Sequence, residues 1–188
     1  MAHGVRERMV EGAAQLLSRA GVAEASFSNV LAHTGAPRGS IYHHFPGGKD
    51  ELLSASVRLV GQRLVGALRH ADVTTADDVV VVFAGLFRRI LVESGSTAGC
   101  AVAAVTVDAH VPSAPHDAAG DVFRAWRGEL LALFVQAGVS STRAAACASL
   151  TVAAVEGALV LARAEGDIAV FDDVVEQVVE HVQRASSG

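Results

Sequence analysis

The 188-residue chain is 51% hydrophobic, carries a formal charge of −5 and contains only two cysteines and four prolines. That balance excludes a disulfide-stapled chain, and uncharged runs such as 94–107 and 144–155 fall short of the roughly 18 apolar residues that a membrane span needs. Alanine, leucine and valine dominate with little strand-like alternation, so an all-α fold is expected, while the acidic sum argues at first against nucleic acid.

In chain order, Val5, Met9, Ala13, Leu16, Leu17 and Ala20 recur at helical spacing, which predicts a first helix ending near Gly21. Arg6, Glu7, Arg8 and Glu11 interrupt any signal-peptide pattern, so a cytoplasmic location is expected. Ser26 suits the N-cap of a second short helix with Phe27, Val30 and Leu31 inward, and Gly35 suits its left-handed stop. A third helix follows from about Pro37 to His44, and Pro46-Gly47-Gly48 frees the chain before a fourth helix. That helix carries Asp50 and Glu51 in its first turn, where the dipole favours acids, and reaches about His70. A stop, a start and a stop within fifteen residues suit a helix-turn-helix, whose second helix is short and protruding.

The charge distribution fits that reading better than the sum does. Residues 1–50 hold five basic against four acidic side chains, so the remainder of the chain carries −6. A near-neutral head on an acidic body limits DNA contact to the head.

Further helices are predicted over Val79 to Glu93, Cys100 to His110, Ala118 to Ala137, Ser141 to Ala164 and Phe171 to Arg184, about nine in all. Ser94 to Thr97 reads as a loop, Pro112 and Pro115 as breakers, and Gly138 as a stop. Cys100 and Cys147 lack metal-ligand spacing and are expected to be buried free thiols.

Within the head, Arg38 offers a planar donor fork to a guanine edge or a phosphate. Gly39 either permits close approach of DNA or serves tight packing inside the fold. Tyr42 can hydrogen-bond a phosphate while its ring packs between helices, and Ile41 and Phe45 share an anchoring face. His43 and His44 are adjacent and point about 100° apart, which disfavours chelation of one ion and leaves no metal site expected. Lys49, the sole lysine, stands at the start of the fourth helix and with Gly47-Gly48 suggests a phosphate site, while Ser28 either contacts phosphate or caps its helix. Ser40 completes the proposed DNA-facing set.

Gly-x-x-x-Gly-Ser-Ile-Tyr-His-His-Phe, from Gly35 to Phe45, followed by Lys49-Asp50-Glu51-Leu52, resembles the helix 3 to helix 4 signature of the TetR family of bacterial transcriptional repressors. The double glycine at 47–48 and the later Gly99-Cys100-Ala101-Val102-Ala103-Ala104-Val105 are similar to its LmrA/YxaF-like branch, which implies drug- or flavonoid-responsive regulation. Leu31, Thr34 and Pro37 depart from the residues common at those places, although a proline that pre-sets φ leaves the expected fold intact. The resemblance implies a helix-turn-helix DNA-binding domain over 1–48 and a helical effector-binding and dimerisation domain over 49–188, acting as a repressor on palindromic operator DNA.

In the body, Leu150, Val152, Val155, Leu159 and Val160 with Val174, Val178 and Val182 are expected to form a homodimer seam on the last two helices, or else to pack inside one chain. Phe83, Phe87, Phe123, Trp126, Leu130 and Phe134 either line an effector pocket or form ordinary core, with Cys100, Val105 and Glu156 as weaker pocket residues. A small helical enzyme lacks support, because no HExxH, CxxC, P-loop or GxSxG occurs and no catalytic residue is indicated. A sequence-neutral architectural DNA binder would carry far more positive charge. No cofactor is indicated, and no membrane partner.

Overall fold

The computed structural model describes residues 4–186. Among them all regular structure is helical: α1 (Val5–Glu24), α2 (Phe27–Thr34), a 3-10 turn (Arg38–Ser40), α3 (Ile41–His44), α4 (Gly48–Arg69), α5 (Ala76–Ser94), α6 (Ala101–Val107), α7 (Ser113–Gln136), α8 (Ser141–Glu165) and α9 (Ala169–Ser186). These segments form two compact units, one made of the chain up to Arg63 with Cys100–Phe123, the other of Leu64–Gly99 with the chain from Arg124 onward.

The first unit is built by local signals that agree with one another. α1 is broken at Gly21, whose φ of 80° and ψ of −171° are non-helical, so the regular helix stops there although a last turn reaches Glu24. Ser26 Oγ accepts from the Asn29 amide at 3.2 Å and caps α2. Gly35 closes α2 at φ 64°, a conformation that glycine adopts without a Cβ penalty. Met9, Val10, Ala13, Val30, Ala36, Ile41, Phe45 and Leu52 bury together as the core of this unit. Gly12 is required by the α1–α2 approach, because a Cβ there would lie 2.3 Å from Thr34 Cγ2. Gly61 on α4 likewise lets Val122 on α7 approach closely, with a Cβ meeting Val122 Cγ2 at 2.6 Å.

α6 and α7 correct the expected boundaries. α6 ends at Val107 rather than His110, because the Asp108 carboxylate accepts from the His110 amide at 2.9 Å and diverts the backbone into an Asx-type turn. Pro115 does not break the chain but sits in the first turn of α7, where its missing N–H is one that no helix satisfies internally. Cys100 caps α6 instead of entering it, its Sγ accepting from the Ala103 amide at 3.4 Å.

In the second unit, Thr75 and Asp78 form a capping box at the start of α5, and Gly95 ends the helix at φ 60°. Arg88 holds Asp172 of α9 through two parallel hydrogen bonds of 2.8 and 2.9 Å. That pairing holds the Asp172 carboxyl below its ordinary range and raises Arg88 above its own, in each case chiefly through the side-chain hydrogen bond. α8 is apolar nearly all round, and by length and composition it is long and apolar enough to cross a membrane, contrary to the expectation drawn from uncharged runs alone. One face, including Ala144, Cys147, Ala148, Thr151, Val155, Leu159 and Ala162, is buried in the chain, as a core helix of a globular body also requires.

Candidate nucleic-acid interface

The segment from Gly35 to Lys49 has one face inside the first unit and one outside it. Ile41 and Phe45, four residues apart, are 1% and 0% exposed, so the 3-10 turn and α3 are anchored as expected of that spacing. Arg38, Gly39, Tyr42 and His43 are exposed, while Ser40 and His44 are half-buried. Nothing lies within 4 Å of the position a Gly39 Cβ would take, which removes the tight-packing explanation and leaves an open surface at that residue. Ser40 Oγ donates to the Pro37 carbonyl at 2.6 Å and so braces the turn that carries Arg38.

Tyr42 is 72% exposed, with its ring set edge-on against Phe27 at 5.7 Å and 86°. The phenol therefore projects from α3 while a single aromatic contact fixes the ring. This differs from packing between helices, because Phe27 of α2 supports only one edge of the ring. Phe27 is half-buried, and its inward reading misses this supporting contact. His43 and His44 have ring centroids 5.3 Å apart at 62°. Ser28 lies exposed in the first turn of α2, and because Ser26 makes the side-chain cap, capping does not account for Ser28.

The start of α4 is more internally engaged than its sequence suggests. Lys49 Nζ donates to the Val22 carbonyl at 2.9 Å, tying α4 to the last turn of α1. The Gly47 amide donates to Glu51 Oε2 at 2.9 Å, and the Gly48 amide to the Phe45 carbonyl at 3.0 Å, with Gly48 at φ 77°. Arg6 of α1 stands 3.7 Å from Glu51 and 5.1 Å from the centre of the Phe45 ring. An anion at this turn thus meets Lys49 with one of its three N–H groups already committed, and the Gly47 and Gly48 amides already hold partners of their own. Arg6 and Glu51 hold the turn in place, a role that depends on contacts between distant segments and is not visible in local spacing.

The expected pocket residues divide between the two units. Phe83, Phe87 and Trp126 pack directly on one another in the second unit, with centroids 5.2, 6.1 and 5.9 Å apart and exposures of 3% or less. Leu130 and Phe134 are fully buried in the same unit, and both carboxylate oxygens of Glu156 are shielded from solvent. Cys100 and Val105, both buried, and the half-buried Phe123 belong to the first unit. Both cysteines are free and buried, and burial pushes the Cys147 thiol up, which makes it a poor nucleophile.

The seam expected on the last two helices also needs correction. Val152, Val155, Leu159, Val178 and Val182 are at most 6% exposed within the single chain, since α8 and α9 pack these positions inward. The outward stripe on α8 instead includes Leu150, Ala153, Gly157, Val160 and Leu161, with Val174 half-exposed on α9. An almost uniformly apolar helix gives no periodic signal to tell its two faces apart.

Residues 9–56 match the model for bacterial regulatory proteins of the tetR family, and residues 77–177 match that for the C-terminal domain of LmrA/YxaF-like transcriptional regulators. An uncharacterized HTH-type transcriptional regulator of Mycobacterium tuberculosis H37Rv is 35% identical over 93% of this chain and 92% of its own. The HTH-type transcriptional regulator LmrA of Bacillus subtilis is 24% identical over 83% of this chain and 85% of its own. A TetR transcriptional regulator from Legionella pneumophila shares the fold at a TM-score of 0.83 and 20% identity, covering 96% of this chain and 98% of that one. The chain belongs to the TetR family of bacterial transcriptional regulators, DNA-binding proteins rather than enzymes that act as dimers on operator DNA, and its C-terminal part is of the LmrA/YxaF-like type.

Proposed function

We propose that this regulator is a repressor that grips a palindromic operator as a homodimer in the cytoplasm, and that a small apolar or aromatic effector, such as a drug or flavonoid, releases it. Residues 1–48 form the DNA-binding head, and residues 49–188 bind the effector and form the dimer through α8 and α9. The observation that carries the DNA reading is the two-sided segment at 35–49: Ile41 and Phe45 fully inside, Arg38, Gly39, Tyr42 and His43 outside.

Arg38 reads a base edge from the start of the recognition element, flanked by His43 and His44, and Ser28, Ser40, Tyr42 and Lys49 set the register on phosphates. Gly39 allows the DNA backbone to come close. The aromatic trio Phe83, Phe87 and Trp126 with Leu130 and Phe134 is the part of the second unit best suited to an apolar ligand, with Glu156 as a polar end to the site. Because the three rings touch one another, entry of a ligand turns rings aside, and this motion is the source of the signal. The shift passes along α4 and moves the two recognition elements off the roughly 34 Å separation that successive major grooves demand. A coupling of about 1 to 3 kcal/mol gives a roughly 5- to 150-fold loss of operator affinity.

The test is a titration of operator binding with apolar aromatic ligands, run on the intact protein. Release that follows ligand occupancy supports the switch. A ligand that binds in the body and leaves operator affinity unchanged contradicts it.

A further inference from the structure

Between α1 and α4 the first unit has a groove of about 370 Å³ that no residue of the 35–49 segment lines. Its floor is apolar: Val10 is buried, and Ala55 and Leu59 are half-buried against the core of the unit. Most of its charged groups are already engaged. Of the acids lining it, Glu7 accepts from the Gly4 amide at the start of α1, and Glu11 is paired with Arg63. Arg6 is turned toward Glu51 at 3.7 Å and toward the Phe45 ring. Arg58 and Gln62 also line the groove, both exposed, and neither makes a hydrogen bond or ion pair among the described residues. They stand four apart on α4 and share a face, so a guanidinium fork and an amide are presented together beside the apolar floor.

We propose that this groove binds a small organic acid, its carboxylate held by Arg58 and Gln62 and its apolar body laid on Val10, Ala55 and Leu59. The site is separate from the effector reading of the second unit and does not depend on it. A carboxylate matches the planar fork of Arg58 through two parallel N–H···O bonds, and the Gln62 side-chain amide donates a third. A cationic ligand is disfavoured, because both acids lining the groove are engaged and the Arg58 guanidinium repels it. A bare inorganic anion would leave the apolar floor uncovered and gain nothing from it. The volume is near the lower end of the roughly 300 to 1,000 Å³ of small-molecule sites, which suits a compact ligand and not a docked helix.

Isothermal titration calorimetry of the full chain with octanoate tests this, with acetate, octanol and octylammonium as counterparts that lack the tail, the charge or its sign. Arg58→Ala removes the fork, and Arg127→Ala, at an exposed position of α7 in the second unit, controls for the loss of one positive charge. Arg58→Ala is expected to weaken one equivalent of bound octanoate by about tenfold, while Arg127→Ala leaves it within about twofold. The three counterparts are expected to bind the parent at least about tenfold more weakly than octanoate does. Octanoate binding that survives Arg58→Ala, or that falls equally in both variants, overturns the proposal, as does acetate or octanol binding as tight as that of octanoate. A failure of octanoate to bind also overturns it, and if Arg58→Ala then flattens the salt dependence of DNA binding, Arg58 serves a DNA phosphate instead.

Discussion

In the proposed reading Arg38 and Lys49, at opposite ends of the recognition segment, do different work, so their removal separates base reading from phosphate holding. Arg38 is exposed at the start of the 3-10 turn, and Arg38→Ala is expected to cost roughly 1 to 3 kcal/mol on the preferred sequence while leaving binding to unrelated DNA nearly unchanged. Lys49→Ala should weaken binding to all sequences alike and reduce the salt slope by about 1. Equilibrium binding to matched and scrambled duplexes across a salt series checks both. Lys49 also shows where local reading stops, since its place at the start of a helix is plain from the sequence, but its bond to Val22 joins positions 27 residues apart and exists only in the folded unit. Asp78 offers a test independent of DNA. Hydrogen bonds from the Thr75 and Thr74 amides, then from their hydroxyls, lower its carboxyl to about 2. A depressed carboxyl contributes stability that is full above the unfolded value near 4 and disappears as pH falls through about 2. The gap in Tm between parent and Asp78→Asn should therefore be largest near pH 6 and close by pH 2, and a gap that stays constant with pH contradicts the assignment.

At the scale of elements, legibility tracked how local each signal was. Ser26 and Gly35 bound α2 because a cap and a left-handed stop are decided within a few residues. The bounds of α6 and α7 were less legible: Asp108 turns its side chain onto a backbone amide, and Pro115 falls at the one part of a helix that tolerates it. α8 was hardest, since apolar residues on every side conceal which stripe goes inward, and five of the eight residues expected at the dimer seam are buried in the chain. The aromatic trio was recognisable from helical spacing, whereas its closed packing depends on how α5 and α7 meet. The contact between Gly61 and Val122 yields a prediction at this scale. Gly61→Ala forces a methyl into a space where it would meet Val122 Cγ2 at 2.6 Å, and overpacking of this kind costs about 1 to 3 kcal/mol. Urea denaturation should show that loss, and the second change Val122→Ala should recover much of it if the clash is the cause.

For the whole molecule, the family membership makes DNA the polymer and a dimer the acting form, while the two-sided segment at 35–49 identifies the face that meets DNA in our reading. In our reading the acidic remainder, carrying −6, is repelled by the duplex and specificity rests on a small head used twice. Selection of bound duplexes from a random-sequence pool with the intact protein tests this most directly. The account predicts a palindrome whose half-site centres lie one helical turn or a whole multiple apart, and Arg38→Ala should blur a defined base in each half-site. Recovery of no preferred sequence, as an architectural binder would give, or of a single unrepeated site contradicts it.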